Sequence, residues 1–357
     1  MPDLSLVERI VKAVLYEGYL LYPYRPSAVK NRQRWNFGVI YPQAYSLRPG
    51  APAAGVEAWS MQTECLVQGS QRTRLDVRVR FLHLLTRQVG EVLSSQSAAG
   101  GEQNVRLVET LEVGGQLFHT WQEAVERETR ALALPLSELI AHPQWLDFTF
   151  PARHAMEALH DPSGRLVGVI IRQQQAVTGA LEIAAAATGE QLFTLTVRIL
   201  NLTPWTNSPA QSHDAALLQS LVSTHTIVNV HHGAGVSLLD PPAACRAAAA
   251  ACRNVGTWPV LVGEAGTHDC LLSSPIILYD YPRVAPESAG DFFDATEIDE
   301  LLTLRIMALT DAEKREMRAV DARARQILER TEALPVDHLR QLHGAVRGLR
   351  VRQEEQL

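Results

Sequence analysis

The amino-acid sequence predicts an α+β protein with an antiparallel β-sandwich-like core and a C-terminal helical segment. Three observations carry that expectation. In "RLDVRVRFLHLL" Leu75, Val77, Val79 and Phe81 alternate with Asp76, Arg78 and Arg80, and period two gives a strand one buried face and one wet face. "FTLTVRILNLTPW" repeats the pattern, with Phe193, Leu195, Val197, Ile199 and Asn201 against Thr194, Thr196, Arg198 and Leu200. Further short strand candidates fall at regular spacing near 105–113, 116–121, 147–152, 166–175 and 180–186, as in a sandwich of two antiparallel sheets. The likeness of 75–85 to 193–203 fits a duplicated unit and fits generic strand alternation equally well. The division expected is a β-rich core with short helices over 1–290 and a helical segment over 291–357.

At the N-terminus Leu4, Val7, Ile10, Val11 and Val14 are spaced by three and four, which describes an amphipathic helix. "YEGYLLYPYRPSAVKNRQRWNFGVIYP" follows, aromatic, cationic and punctuated by Pro23, Pro26 and Pro42, so it reads as extended and irregular. Gly, Ala, Ser and Pro-rich stretches at 46–58 and 93–104 read as mobile loops. Beyond 213, "SHDAALLQS" reads as a short helix and "THTIVNVHH" as a strand. "DPPAACRAAAAACRNVG" reads as a helix capped by Asp240 and closed near Gly256. "WPVLVG" and "LLSSPIILYDY" are apolar strands. Asp294 with Glu297, and Thr310 with Glu313, have the spacing of a capping pattern, so helices are expected after each, the second over 311–330. Pro335 opens a third, with Leu339, Leu342, Val346 and Leu349 on one face.

Composition narrows the function classes. The 357 residues carry a formal charge of −6, so no basic excess exists to neutralise phosphates and nucleic acid is not the expected partner. Glu8, Arg9 and Lys12 interrupt any signal-peptide core, and no run of about 18 apolar residues reads as a membrane span. Cys65, Cys245, Cys252 and Cys270 form no C-x-x-C pair. A reduced cytoplasmic protein with buried thiols is the expectation.

Three constellations are candidates for chemistry. His225, His231, His268 and Cys270 are the side-chain types that take nickel or zinc, although their spacing matches no short metal motif and hydrogen-bonded or surface histidines are the plainer reading. Tyr24, Arg25, Arg32, Arg34 and Trp35 combine charge with flat aromatic area, as partner-binding surfaces do, and also suit a segment packed along the sandwich. In 274–300, "SPIILYDYPRVAPESAGDFFDATEIDE", seven carboxylates gather. Asp294, Glu297, Asp299 and Glu300 fit a helix start; Asp280, Glu287 and Asp291 lack EF-hand spacing and read as a turn-rich loop. "HHGAG" at 231–235 has no G-x-S-x-G nucleophile elbow to serve, and neither a Walker loop nor a complete dinucleotide fingerprint occurs. No catalytic residue and no resident cofactor are assigned.

"YEGYLLYPYRPSAVKNRQRWNFGVIYP", "STHTIVNV", "CRNVGTWPVLVG" and "SSPIILYDYPRVAPESAGDFFDATEIDELLTLRI" resemble a family of uncharacterised bacterial proteins encoded in gene clusters of high-affinity nickel–iron hydrogenases. Where that family has Asp-Gly-Thr-Glu, this chain has Ala295 in place of the glycine, which argues against a positive-φ turn there and fits the helix start. The resemblance implies company rather than chemistry: an accessory protein assisting assembly, maturation or partner attachment of such a hydrogenase, with one of its subunits as partner. A metal-binding protein or enzyme using the His/Cys and acidic loops, and a structural sandwich protein with no hydrogenase role, are the alternatives.

Overall fold

The computed structural model describes residues 4–17, 24–25, 28, 31, 36–52, 56–93, 104–206, 212–283 and 299–335. In chain order they form helix α1 (Leu4–Leu15), helix α2 (Gln43–Ser46), strands β1 (Ser60–Gln68), β2 (Arg74–Val92), β3 (Val105–Val108), β4 (Thr110–Val113), β5 (Gln116–His119) and β6 (Trp121–Pro135), then helix α3 (Leu136–Ala141). Strands β7 (Gln144–Phe150), β8 (Arg153–His160), β9 (Leu166–Gln174), β10 (Val177–Gly189) and β11 (Leu192–Asn201) follow, then helix α4 (His213–Leu217), β12 (Val222–His231) and β13 (Ala234–Val236). Helix α5 (Arg246–Ala251), β14 (Trp258–Leu261), β15 (Cys270–Ser274) and helices α6 (Asp299–Met307), α7 (Asp311–Arg318) and α8 (Ala322–Glu332) complete the order.

Two antiparallel sheets face one another, as the alternation predicts. One runs β13-β1-β11-β10-β7; the other runs β14-β15-β12-β2-β9-β8, with β3 and β6 also paired to β2. Strand β2 organises the second sheet because its 19 residues are long enough to hold β12 and β9 in succession along one edge, and β6 and β3 along the other. Leu75, Val77, Val79 and Phe81 meet Leu181, Ile183, Leu195, Val197 and Ile199 in the core between the sheets. Tight packing of this kind makes truncation costly, about 3–5 kcal/mol for a buried Phe→Ala.

The opposite face of β2 is not left wet. Glu8 of α1 bonds Arg80 (2.5 and 2.9 Å) and Arg78 (3.3 Å), and Glu128 takes the Arg80 Nε at 2.5 Å. Val7, Ile10 and Val11 of α1 pack on Ile227, Val260, Val262, Cys270 and Leu272. Farther along the sheet Leu82, Leu84 and Val222 are covered by Leu302, Ile306, Met317, Ala324 and Leu328. The described C-terminal helices therefore share a core with the sandwich, giving a sheet–sheet–helix layering. No helix among the described residues is long and apolar enough to cross a membrane.

Three local readings are corrected, and one strand had no counterpart in the sequence reading. The alanine-rich helix is a 3-10 turn at Ala243–Cys245 followed only by Arg246–Ala251, with no Asp240 cap. The chain leaves it to dock on β1: Arg253 N–H donates to Glu64 Oε2 at 2.7 Å, and Asn254 exchanges hydrogen bonds with the Glu64 backbone. The strand expected over "LLSSPIILYDY" ends at Ser274, because Pro275 has no N–H to continue a ladder. The helix expected over 311–330 is two, since Asp321 caps a new start by accepting from Ala324 N–H. Finally β6, "WQEAVERETRALALP", carries no apolar alternation, yet pairs with β2 along most of its length through charged cross-strand partners such as Arg80–Glu128 and Arg87–Glu123. The Asp294 cap, the helix after Pro335 and most of the loop at 93–104 lie outside the described residues.

Candidate functional site

The four metal-ligand candidates are not gathered into one set. His225 and His231 lie six residues apart on β12, about 20 Å at ~3.3 Å per residue, so one ion cannot take both. His231 is exposed and its Nε2 lies 2.9 Å from Asp76 Oδ2. His268 is exposed as well, its Nδ1 3.2 Å from the Gly235 carbonyl. Cys270 is buried in the apolar cluster under α1, and burial pushes its thiol up to about 12, far from the thiolate a metal needs. Among the described residues no group of three or more His, Cys, Asp or Glu is arranged to hold a metal ion.

His225 has different company. A bulge separates Val222 from His225 in the pairing with β2, and Ser223 sits there at φ 52. The bulge turns the imidazole so that Nδ1 lies 2.7 Å from the Ser223 carbonyl and Nε2 lies 3.2 Å from the Ser274 hydroxyl. A carbonyl only accepts, so Nδ1 carries the proton and Nε2 accepts from Ser274. Burial pushes the imidazole down to about 4. Beside it Ser273 Oγ lies 2.8 Å from both Thr63 Oγ1 and Thr257 Oγ1. Thr63, Ser273 and Thr257 form a buried polar cluster joining β1, β15 and the residue that precedes β14.

The partner-binding candidates divide. Tyr24 is fully buried at φ 54 and belongs to the cluster under the C-terminal helices, so it offers no area to a partner. Arg25 is turned inward too, its Nη1 3.1 Å from Glu313 and 3.6 Å from Glu316. Tyr24 and Arg25 thus tie the helical layer down. Arg32, Arg34 and Trp35 lie outside the described residues. In the acidic turn Asp280 is a clamp, accepting from Ser237 Oγ at 2.5 Å and from Leu261 N–H at 2.8 Å. Glu287, Asp291, Asp294 and Glu297 lie outside the described residues.

What the fold does assemble is a junction at the β14–β15–β12 end of the second sheet. Ser223 and Thr224 donate backbone N–H groups to Phe37 and Gly38. Strand β12 pairs with β15 and β15 with β14. Gly38, at φ 51, lies so close to Pro275 that a Cβ there would meet the ring at 2.6 Å, and positive φ together with that approach calls for glycine. Around the junction Phe37 (41%), Trp258 (46%), Ile277 (73%) and Tyr279 (83%) are exposed. Ile277 and Tyr279 follow Pro275, where the β15 ladder ends, before Asp280 and Tyr281 return to bond Leu261 of β14.

In comparison with known proteins, no family model matches the chain and no curated protein matches it. The fold and the junction define the class as an antiparallel sandwich with a helical outer layer and an apolar surface at one end of its larger sheet.

Proposed function

We propose that this protein is a non-catalytic accessory protein that holds a protein partner at the β14–β15–β12 junction, and that the partner is a subunit of a nickel–iron hydrogenase. The observation that carries the docking half is the exposure of Ile277 and Tyr279 beside Trp258 and Phe37 at one junction. Such aromatic and aliphatic anchors gain most when a partner removes them from water. The hydrogenase half rests on the resemblance, whose four stretches each contribute backbone to this junction. Recovery of an epitope-tagged copy from its own host tests both halves. Hydrogenase subunits are expected with the wild-type chain and lost with Ile277→Ser/Tyr279→Ser. Wild-type recovery without any hydrogenase subunit sinks the assignment; equal recovery with the folded double variant moves the surface elsewhere.

A serine hydrolase is the second reading. A hydroxyl donating to an unprotonated imidazole Nε2 is the arrangement that general-base activation of serine uses, and Ser274 with His225 has it. Both side chains are 0% exposed, and Ser274 Oγ also accepts from Ile276 N–H at 3.1 Å. That occupancy favours a structural role and leaves docking as the better-supported function.

A further inference from the structure

We propose that the cleft between the β4–β5 hairpin and helices α7 and α8 binds a small phosphate ester, its phosphate held by Arg315, Arg318 and Arg325. The cleft measures about 200 Å³ and is lined by Gly115–Leu117 of the hairpin and by Arg315, Arg318, Ala319 and Arg325. That is roughly six water-sized volumes, room for a phosphate group. Three guanidinium groups and no carboxylate form the lining, on a chain whose formal charge is −6. Local charge opposite to the net charge focuses a field that attracts small anions.

The neighbouring groups leave this excess in place. Glu313 and Glu316 of α7 are engaged by Arg25. Glu332 takes Arg318 at 2.7 Å and Lys314 at 3.2 Å, one carboxylate against two cations. Arg325 donates from Nε and Nη2 to the Arg318 carbonyl at 3.4 and 3.3 Å, which fixes its guanidinium without neutralising it. Arg315 is exposed and has no ion pair among the described residues. Guanidinium forks match phosphate oxygens bidentately. The hairpin forms the opposite wall because Gly114 and Gly115, at φ 58 and 82, make the two-residue turn that joins Val113 to Gln116.

A second cleft of about 470 Å³ continues from the first, sharing Gln116, Leu117, Ala319 and Arg325. Its charges are balanced: Arg87 and Arg172 both bond Glu123, and Arg172 bonds Glu157. Leu85, Phe118 and Ile170 add apolar wall. A larger hollow of mixed polar and apolar wall, with Leu85, Phe118 and Ile170 as its apolar part, suits an ester with its phosphate in the smaller cleft and its organic part in the larger.

Calorimetric titration of the full chain with inorganic phosphate and with phenyl phosphate, at constant ionic strength, tests the site independently of any protein partner. Phenyl phosphate is expected to bind saturably and more tightly than inorganic phosphate. Arg315→Gln breaks no ion pair among the described residues and is expected to weaken both by about tenfold, the loss of one charge-assisted hydrogen bond. Arg253→Gln, an exposed arginine outside the cleft, is expected to change neither. Absence of saturable heat, binding untouched by Arg315→Gln, or phenyl phosphate no tighter than inorganic phosphate would each overturn the proposal.

Discussion

The Nε2 of His225 lies 3.2 Å from the Ser274 hydroxyl, and neither side chain reaches solvent. They stand 49 positions apart in the chain and are brought together by the β12–β15 pairing, which runs to Thr226 opposite Ser273. The pair joins a bulged strand to the point where Pro275 ends the sheet. His225→Ala removes a buried ring and leaves the Ser274 hydroxyl without its acceptor, so a loss of about 2–4 kcal/mol is expected. Urea unfolding should show a lower midpoint at unchanged slope. A fluorophosphonate probe should leave the native chain unlabelled; stoichiometric labelling of Ser274 would instead establish the hydrolase reading.

Acid should destabilise the fold before its carboxylates titrate. Burial pushes both His83 and His225 down from 6.5 to about 4. The unfolded chain then binds more protons than the folded one between those values. This contribution to stability is whole above pH 6.5, falls as pH drops through the window, and is fully lost below about 4. At roughly 1.4 kcal/mol per pKa unit, each histidine accounts for a few kcal/mol. Melting temperatures from pH 8 to pH 4 should fall with this profile, and His83→Leu should flatten it. A melting temperature constant down to pH 4.5 would contradict the burial of both rings.

The thiols should be nearly inert in the folded state. Burial pushes Cys65 and Cys270 up to about 12 and Cys252 to about 11, and the thiolate is the reactive form. Ellman's reagent at pH 8 is expected to react slowly with native protein and rapidly with all four cysteines in denaturant. A fast native phase would place at least one thiol at the surface.

The C-terminal layer should depend on its caps and on Arg25. Thr310 and Glu313 form a reciprocal capping box, and Asp321 accepts from Ala324 N–H at 2.8 Å. Thr310→Ala and Asp321→Ala should each cost about 1 kcal/mol. Arg25→Ala should raise the hydrogen-exchange rate of 311–318 above that of 75–81, because its loss leaves two glutamates of one helix without their shared cation. Equal exchange in wild type and variant would show that packing on Leu82 and Leu84 alone holds the layer.

Several elements were legible because their cause is local. Leu75 to Phe81 and Leu195 to Ile199 announce an inward face by alternation, and the two sets do meet in the core. Thr310 and Glu313 announce a helix start because a cap involves residues three apart. The strand β6 was not legible: its charged side chains are satisfied by Arg80 and Arg87 on another strand, so its own sequence shows no apolar face. The metal set failed for a related reason. Residue type suggested convergence, while strand rise and pairing register separate His225 from His231 and bury Cys270 under α1.

The sequence by itself determined the class of the protein, because hydrophobic period, proline breaks and caps are set by residues within a turn or a few strand positions of one another. Only the tertiary structure decided what each polar group meets. A bulge at Val222–His225 aims His225 at Ser274, a lost ladder at Pro275 exposes Ile277 and Tyr279, and helix packing turns Arg25 inward while leaving Arg315 in a cleft. Those outcomes depend on register and on partners tens to hundreds of residues away, which no local pattern encodes.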